Sequence, residues 1–159
     1  MDISIRRATK EDMARVLELI YELALHENKP NAVELHVEDL EKAGFGDEKE
    51  FICFVAEVDG KIEGSALIYN RFSTWKGSVL HLEDLVVSKR MRGSGLGTTL
   101  LNEVVRFGQE IGVKRISWEV SEGNENAMKF YQNKGADIKR DWNVVHLDEE
   151  GIKTYLSQI

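Results

Sequence analysis

The sequence predicts an α+β domain built on a mixed, mostly antiparallel central sheet flanked by helices. Three observations carry that expectation: strands joined by tight turns between residues 51 and 87, a glycine-rich run straight after the last of them, and helically spaced apolar residues from 96 to 111 leading into another strand. Short turns make neighbours antiparallel, whereas a helical crossover lets two strands run parallel. With 159 residues, 42% hydrophobic and 31% charged and containing a single Pro, the chain has apolar mass for one domain spanning 1–159 and is neither disordered nor collagenous.

The elements follow in order. Ile3 to Arg7 alternates as a half-buried strand does; Thr9 then stands at an N-cap, with Asp12 three residues on. Met13, Val16, Leu17, Ile20, Leu23 and Ala24 recur at three and four residues, which gives a helix running to about His26. Val37 to Ala43 is a shorter helix stopped by Gly44-Phe45-Gly46, where glycines permit left-handed conformations. Phe51–Val58 and Lys61–Tyr69 flank Asp59-Gly60 as a β-hairpin, because Asp-Gly accepts the positive φ angles of a tight turn. Ser78–Val87 is apolar and β-branched and reads as a strand; the helix from Leu96 ends at Gly112, and Arg115–Val120 is the next strand. Asn124–Lys134 is a short helix closed by Gly135, Trp142–Leu147 reads as a last strand, and a short helix or tail ends the chain.

Twenty-eight acids against 21 Lys and Arg leave a net charge of −7, which disfavours nucleic acid and other polyanions as general partners and favours cationic small molecules. Cys53 is the only cysteine, so no internal disulfide forms and a reducing, cytoplasmic setting is expected; set in an apolar run, it reads as a core side chain. No 18-residue apolar stretch or signal-peptide segment is present, so no membrane association is expected. His36, His81 and His146 lack metal-ligand spacing, and no metal is expected.

The informative junction is Arg90-Met91-Arg92-Gly93-Ser94-Gly95-Leu96-Gly97-Thr98, where a strand passes into a helix N-terminus. Free N–H groups there attract anions, and residues without Cβ let a diphosphate approach the backbone. Glycines alone could simply make the turn; the two arginines and the helix end point to a phosphate-bearing cofactor. Thr98-Thr99 after Gly97 breaks a Walker A loop, and a Rossmann fingerprint needs a glycine where Thr98 stands.

Arg92-x-x-Gly95-x-Gly97 after an apolar strand resembles the cofactor motif of the GNAT superfamily of acetyl-CoA-dependent N-acetyltransferases. Leu82-Glu83-Asp84-Leu85-Val86-Val87, Asn124-Glu125, Phe130-Tyr131, Gly135-Ala136, Gly44-Phe45-Gly46 and Val55-Ala56-Glu57-Val58 are similar to its spermidine/spermine (diamine) acetyltransferase branch, and the likeness runs from Ile5 to about Ala136. It implies a GNAT-like fold, acetyl-CoA as cofactor, direct transfer to a small primary amine, and a homodimer. Acetylation of a protein N-terminus or lysine, or a silent acyl-CoA-binding module, is the alternative.

An alkylamine with a pKa of about 10 is protonated at neutral pH, so a proton acceptor helps. Adjacent strand residues point to opposite faces, so only one of Glu83 and Asp84 is expected in a given cleft. The resemblance implies Glu83 as that acceptor and Tyr131 as proton donor to the departing thiolate, with Asp84 a cation contact or a support for the strand end. It implies cofactor contacts from the backbone of Leu85, Val86 and Val87, from Arg92, Gly93, Ser94, Gly95, Leu96, Gly97 and Thr98, and from Asn124, which equally reads as a helix cap. For the amine it implies His26, Glu27 and Trp75, with Glu83 and Asp84. His26 stands where the branch has an aromatic residue and Ser73 where polyamine acetylases carry an acid, which leaves shorter diamines and lysine analogues such as thialysine open; Glu119 is a candidate substitute carboxylate.

Overall fold

A computed structural model describes all residues from Met1 to Ile159. The chain divides into two compact units, Met1–Glu119 and Val120–Ile159. The first holds a five-stranded sheet in the order β1-β2-β3-β4-β5, with β1 Ile3–Arg7, β2 Ile52–Val58, β3 Lys61–Ser73, β4 Gly77–Val87 and β5 Ile116–Ser117. Of the three antiparallel pairings, β2 with β3 and β3 with β4 follow from short connections, whereas β1 pairs with β2 across the long helical segment between them; the one parallel pairing, β4 with β5, follows from the crossover through α3 (Leu96–Glu110). This is the sheet the sequence predicts.

Local chemistry explains most boundaries. Asp59 (φ 51°) and Gly60 (φ 80°) form the tight turn between β2 and β3. The Asp12 carboxylate accepts from Thr9 N at 2.7 Å and closes a capping box; one 3₁₀ turn, Lys10–Asp12, then leads into α1, Met13–His26. α2, Val37–Phe45, runs through Gly44 instead of stopping before it, and Gly46 is extended at φ −77°, so the expected left-handed stop is absent. Gly44 is there for space: a Cβ would lie 2.5 Å from the Phe51 ring.

Successive β2 residues sort the core. Cys53 and Val55 pack with Met13, Val16 and Leu17 of α1 and Leu40 of α2, whereas Phe54 between them meets Phe107 of α3 edge-to-face at 5.8 Å. α1 and α3 therefore cover opposite faces of the sheet. Burial pushes the Cys53 thiol up to about 12, with the negative charges of Asp12 and Asp84 adding to it, so the group stays protonated as a core side chain should.

In the second unit, α4 (Glu125–Asn133) and α5 (Glu149–Ser157) start at side-chain caps, Asn124 Oδ1 accepting from Ala127 N at 3.3 Å and Asp148 Oδ1 from Gly151 N at 2.8 Å. Trp142–Leu147 is not a strand. The adjacent Val144 and Val145 are 61% and 88% exposed, so neither face is covered, and the segment belongs to no ladder. Alternation marks what a segment could pair with, and without a partner edge it stays irregular.

One buried ion cluster ties β3 to the start of the glycine loop. Glu63, 4% exposed, accepts from the Ser88 hydroxyl and from Arg90 Nε at 2.8 Å, with Arg15 Nη2 at 3.7 Å. Burial raises this carboxyl, but the Ser88, Arg90 and Arg15 contacts outweigh it and hold Glu63 below its ordinary range. Glu63→Gln should destabilise the protein by about 1 kcal/mol at neutral pH, because it removes the charge that strengthens the hydrogen bonds from Ser88 and from the largely exposed Arg90. Urea melts check this, and the gap from wild type should narrow as pH falls through the depressed Glu63 titration; an unchanged midpoint at neutral pH would mean the cluster holds nothing.

Candidate active site

Strand register makes the site. Along β4, Leu82 faces Ile68 and Asp84 faces Leu67, so Glu83 is an extra residue with no partner on β3. Such a bulge bends its strand and re-aims side chains. The expected opposition of Glu83 and Asp84 is therefore overturned: both face the α1 side. Asp84 shares a row with Leu67 and Cys53, the latter in the α1 core, and Glu83 meets Tyr69 and His81, which lie two residues along β3 and opposite it on β4.

The bulge also ends the sheet. β4 pairs with β5 only at Leu80↔Ile116 and His81↔Ser117, so β5 is two residues long instead of the six expected for Arg115–Val120. Past His81 the two strands part, and the β4 edge carrying Leu85, Val86 and Val87 pairs on one side only, with β3. An extended chain of amide groups can add to such an edge as a strand does.

That edge runs into the glycine loop. After a 3₁₀ turn at Lys89–Met91, Gly93 (φ 79°) and Gly95 (φ 89°) take left-handed conformations, with space around both where a Cβ would project. The first amide to join the helical ladder is Thr99, donating to Gly95 O at 3.1 Å; Leu96 N already donates to Ser94 Oγ at 3.4 Å, so Gly97 and Thr98 open α3 with N–H groups ahead of that ladder. Ser94 Oγ is spent internally on Met91 O at 2.6 Å. Open glycines, a helix N-terminus and Arg92 form a cradle that fits a diphosphate.

His26 and Glu27, neighbours at the end of α1, divide between the two halves. His26 Nδ1 lies 3.3 Å from Arg92 Nη1, which places it on the loop, whereas the charge of Glu27 is felt by Asp84. Burial, then Glu83, then Glu27 push the Asp84 carboxyl up to about 6. Tyr69, His81, Ser117 and Glu119 extend the same face; Tyr69 is raised by burial and by the charge of Glu83, and Arg71 and Glu119 act in opposite senses on both Tyr69 and His81. Glu27, Glu83, Asp84 and Glu119 make this face acidic, and the sequence reading missed Tyr69, His81 and Ser117 in it. Only their strand register could have found them.

Trp75 stands apart, 81% exposed at the tip of the β3–β4 turn. Six residues of strand separate Gly77 from Glu83, roughly 20 Å. Ser73 Oγ caps that turn, accepting from Trp75 N at 3.2 Å and Lys76 N at 3.1 Å, so its hydroxyl is committed to the backbone. Asn124 and Tyr131 belong to the second unit, where Asn124 caps α4 and Tyr131 meets Phe130 edge-to-face at 5.3 Å.

The model of the acetyltransferase (GNAT) family matches residues 14–136. Thialysine N-epsilon-acetyltransferase of Bos taurus is 32% identical over 142 residues, 84% of each chain. Spermidine/spermine N(1)-acetyltransferase-like protein 1 of Homo sapiens is 33% identical over 156 residues, 92% of this chain and 22% of that longer one. Among solved structures, an integron cassette protein from the mobile metagenome of V. cholerae superposes with a TM-score of 0.81 at 22% identity over 98% of both chains. An aminoglycoside acetyltransferase from a soil metagenome superposes at 0.76 and 21% identity, over 92% of this chain and 97% of that one. At these identities the structures establish the fold.

The raised Asp84 carboxyl has a thermodynamic consequence. Its ordinary value is 3.8 and its folded value about 6, so between those pH values the folded state binds more protons than the unfolded one. Stability is therefore lost as pH rises through that window and stays lost above it. Asp84→Asn should raise stability near pH 7.5 by on the order of 3 kcal/mol at most, and change it little near pH 4. Thermal melts at both values check this; an Asn variant less stable than wild type near pH 7.5 would show that the carboxylate has a partner holding it charged.

Proposed function

Because the chain belongs to the acetyltransferase (GNAT) family and is an N-acetyltransferase, we propose that it moves an acetyl group from acetyl-CoA directly to a primary amine of a small molecule: a diamine, a polyamine or a lysine analogue such as thialysine. The observation that carries this reading is the pairing, on one strand, of a bulge presenting two carboxylates with an open edge that leads into an anion-binding loop. We take residues 1–159 as one catalytic domain, since the family match runs across both units.

The loop from Gly93 to Thr98, led by the amides of Gly97 and Thr98, holds the diphosphate together with Arg92, and Asn124 adds a polar contact. His26, 3.3 Å from Arg92, positions that guanidinium. Backbone groups of Leu85, Val86 and Val87 hold the amide-bearing arm as an added strand, which aims its end at the bulge. When bound, acetyl-CoA supplies a thioester, an acyl group activated enough to need no metal and no enzyme nucleophile.

Glu27 and Asp84 attract the ammonium group of the substrate, and a cation beside them favours the charged form of Asp84. Glu83, its side chain 54% exposed, accepts the proton that must leave before the nitrogen lone pair can attack. Tyr131 supplies a proton to the sulfur that departs. Exposed Val145, Leu147 and Leu156 on the second unit support a homodimer, and the single buried cysteine supports a reducing cytoplasmic setting.

Purified protein given acetyl-CoA and a panel of diamines, polyamines and thialysine should release free thiol with at least one of them; silence across the panel with acetyl-CoA bound would count against transfer. Tyr131→Phe should lower kcat by about 10²-fold while leaving acetyl-CoA affinity within about twofold. Glu83→Gln should lower kcat/KM most near neutral pH and least at high pH, where free amine is abundant, and a defect of constant size across pH would remove the proton-acceptor role.

A further inference from the structure

We infer that His81 is a positioning residue for Glu83, presenting an Nε2–H to its carboxylate because Ser117, on the next strand, donates its hydroxyl proton to Nδ1. This rests on the reading of Glu83 as proton acceptor. Tyr69, His81 and Ser117 occupy one row across β3, β4 and β5, each opposite the next in register. His81 is 6% exposed, its Nδ1 lies 2.9 Å from Ser117 Oγ, and its Nε2 lies 3.8 Å from Glu83 Oε2. The Tyr69 ring packs on the imidazole with centroids 5.3 Å apart, and its phenol feels the negative charge of Glu83.

The tautomer follows from the company each nitrogen keeps. A bare Nε2 facing a carboxylate would set lone pair against lone pair, so a neutral ring turns its N–H that way. Nδ1 is then the acceptor, and a serine hydroxyl can donate to it. The groups that face the ring are Tyr69 and Arg71 from β3, Glu83 from β4, Ser117 from β5, and Glu119 from the segment after it. Burial, helped by Arg71, outweighs the two carboxylates and keeps His81 below its ordinary 6.5, hence neutral at pH 7. At 3.8 Å the Nε2–Oε2 gap exceeds a hydrogen bond, and a small rotation of the largely exposed Glu83 closes it. His81, held from its other side by Ser117 and flanked by the Tyr69 ring, then fixes a carboxylate that the bulge alone would leave free to swing.

The tautomer can be read without turnover. Long-range ¹H–¹⁵N spectra of the histidine-labelled protein, which has four histidines, assigned with His81→Gln, should show His81 as the neutral Nε2–H form near pH 7. An Nδ1–H form or an imidazolium there overturns the inference. In turnover with acetyl-CoA and the amine that the panel identifies, His81→Asn should lower kcat/KM roughly tenfold, and His81→Gln, whose amide nitrogen replaces Nε2, should recover most of it. Equal loss in both overturns the inference, as does an Asn variant with wild-type rate. In a Glu83→Gln background His81→Asn should cost nothing further; the same tenfold cost there would assign His81 a role independent of Glu83. Full activity of Glu83→Gln alone would instead remove the proton-acceptor reading, and this inference with it.

Discussion

A single inserted residue in β4 sets the geometry on which the rest of the first unit depends. With Glu83 unpaired between Leu82 and Asp84, the strand bends and leaves its parallel neighbour after His81. Three consequences share that cause. Two carboxylates turn to one face, the edge carrying Leu85 to Val87 loses its second partner, and the strand is steered into the loop that opens α3. An uninterrupted ladder would have supplied more hydrogen bonds and none of these features.

Two acidic residues on adjacent strands show how the same fold treats charge in two ways. Glu63 is 4% exposed yet held below the ordinary range, because Ser88, Arg90 and Arg15 satisfy it. Asp84 is held up to about 6, since burial and the negative charges of Glu83 and Glu27 all push the same way. The first carboxylate fastens the start of the glycine loop to β3 and is structural. The second is a stability cost that a neighbouring cation would relieve. That contrast separates scaffold from site more sharply than proximity to the loop does.

What the sequence carried was local. The Asp59-Gly60 turn, the Thr9–Asp12 capping box, the apolar stripe of α1 and the glycine run before α3 are all written within a few residues, and each is present. The resemblance carried the family, which the match over residues 14–136 establishes. Features that need two strands at once stayed hidden. The bulge reversed the expected facing of Glu83 and Asp84, and it shortened β5 to Ile116–Ser117. Tyr69, His81 and Ser117 lie far apart along the chain and meet only through register. Trp142–Leu147 has strand composition without a strand's partner, and Gly44 proved to be a matter of space against Phe51 where a left-handed stop was expected. His26 and Glu27 looked like one motif, but the helix end splits them between the loop and the acidic face.

The claim that the β4 edge and the glycine loop together receive acetyl-CoA is tested most directly by hydrogen–deuterium exchange with and without that compound. Peptides covering Leu82–Val87, whose amides turned away from β3 are unpaired, and Gly93–Thr98 should slow together on addition of saturating acetyl-CoA. Binding that protects other segments while these two keep their free exchange rates would contradict the account.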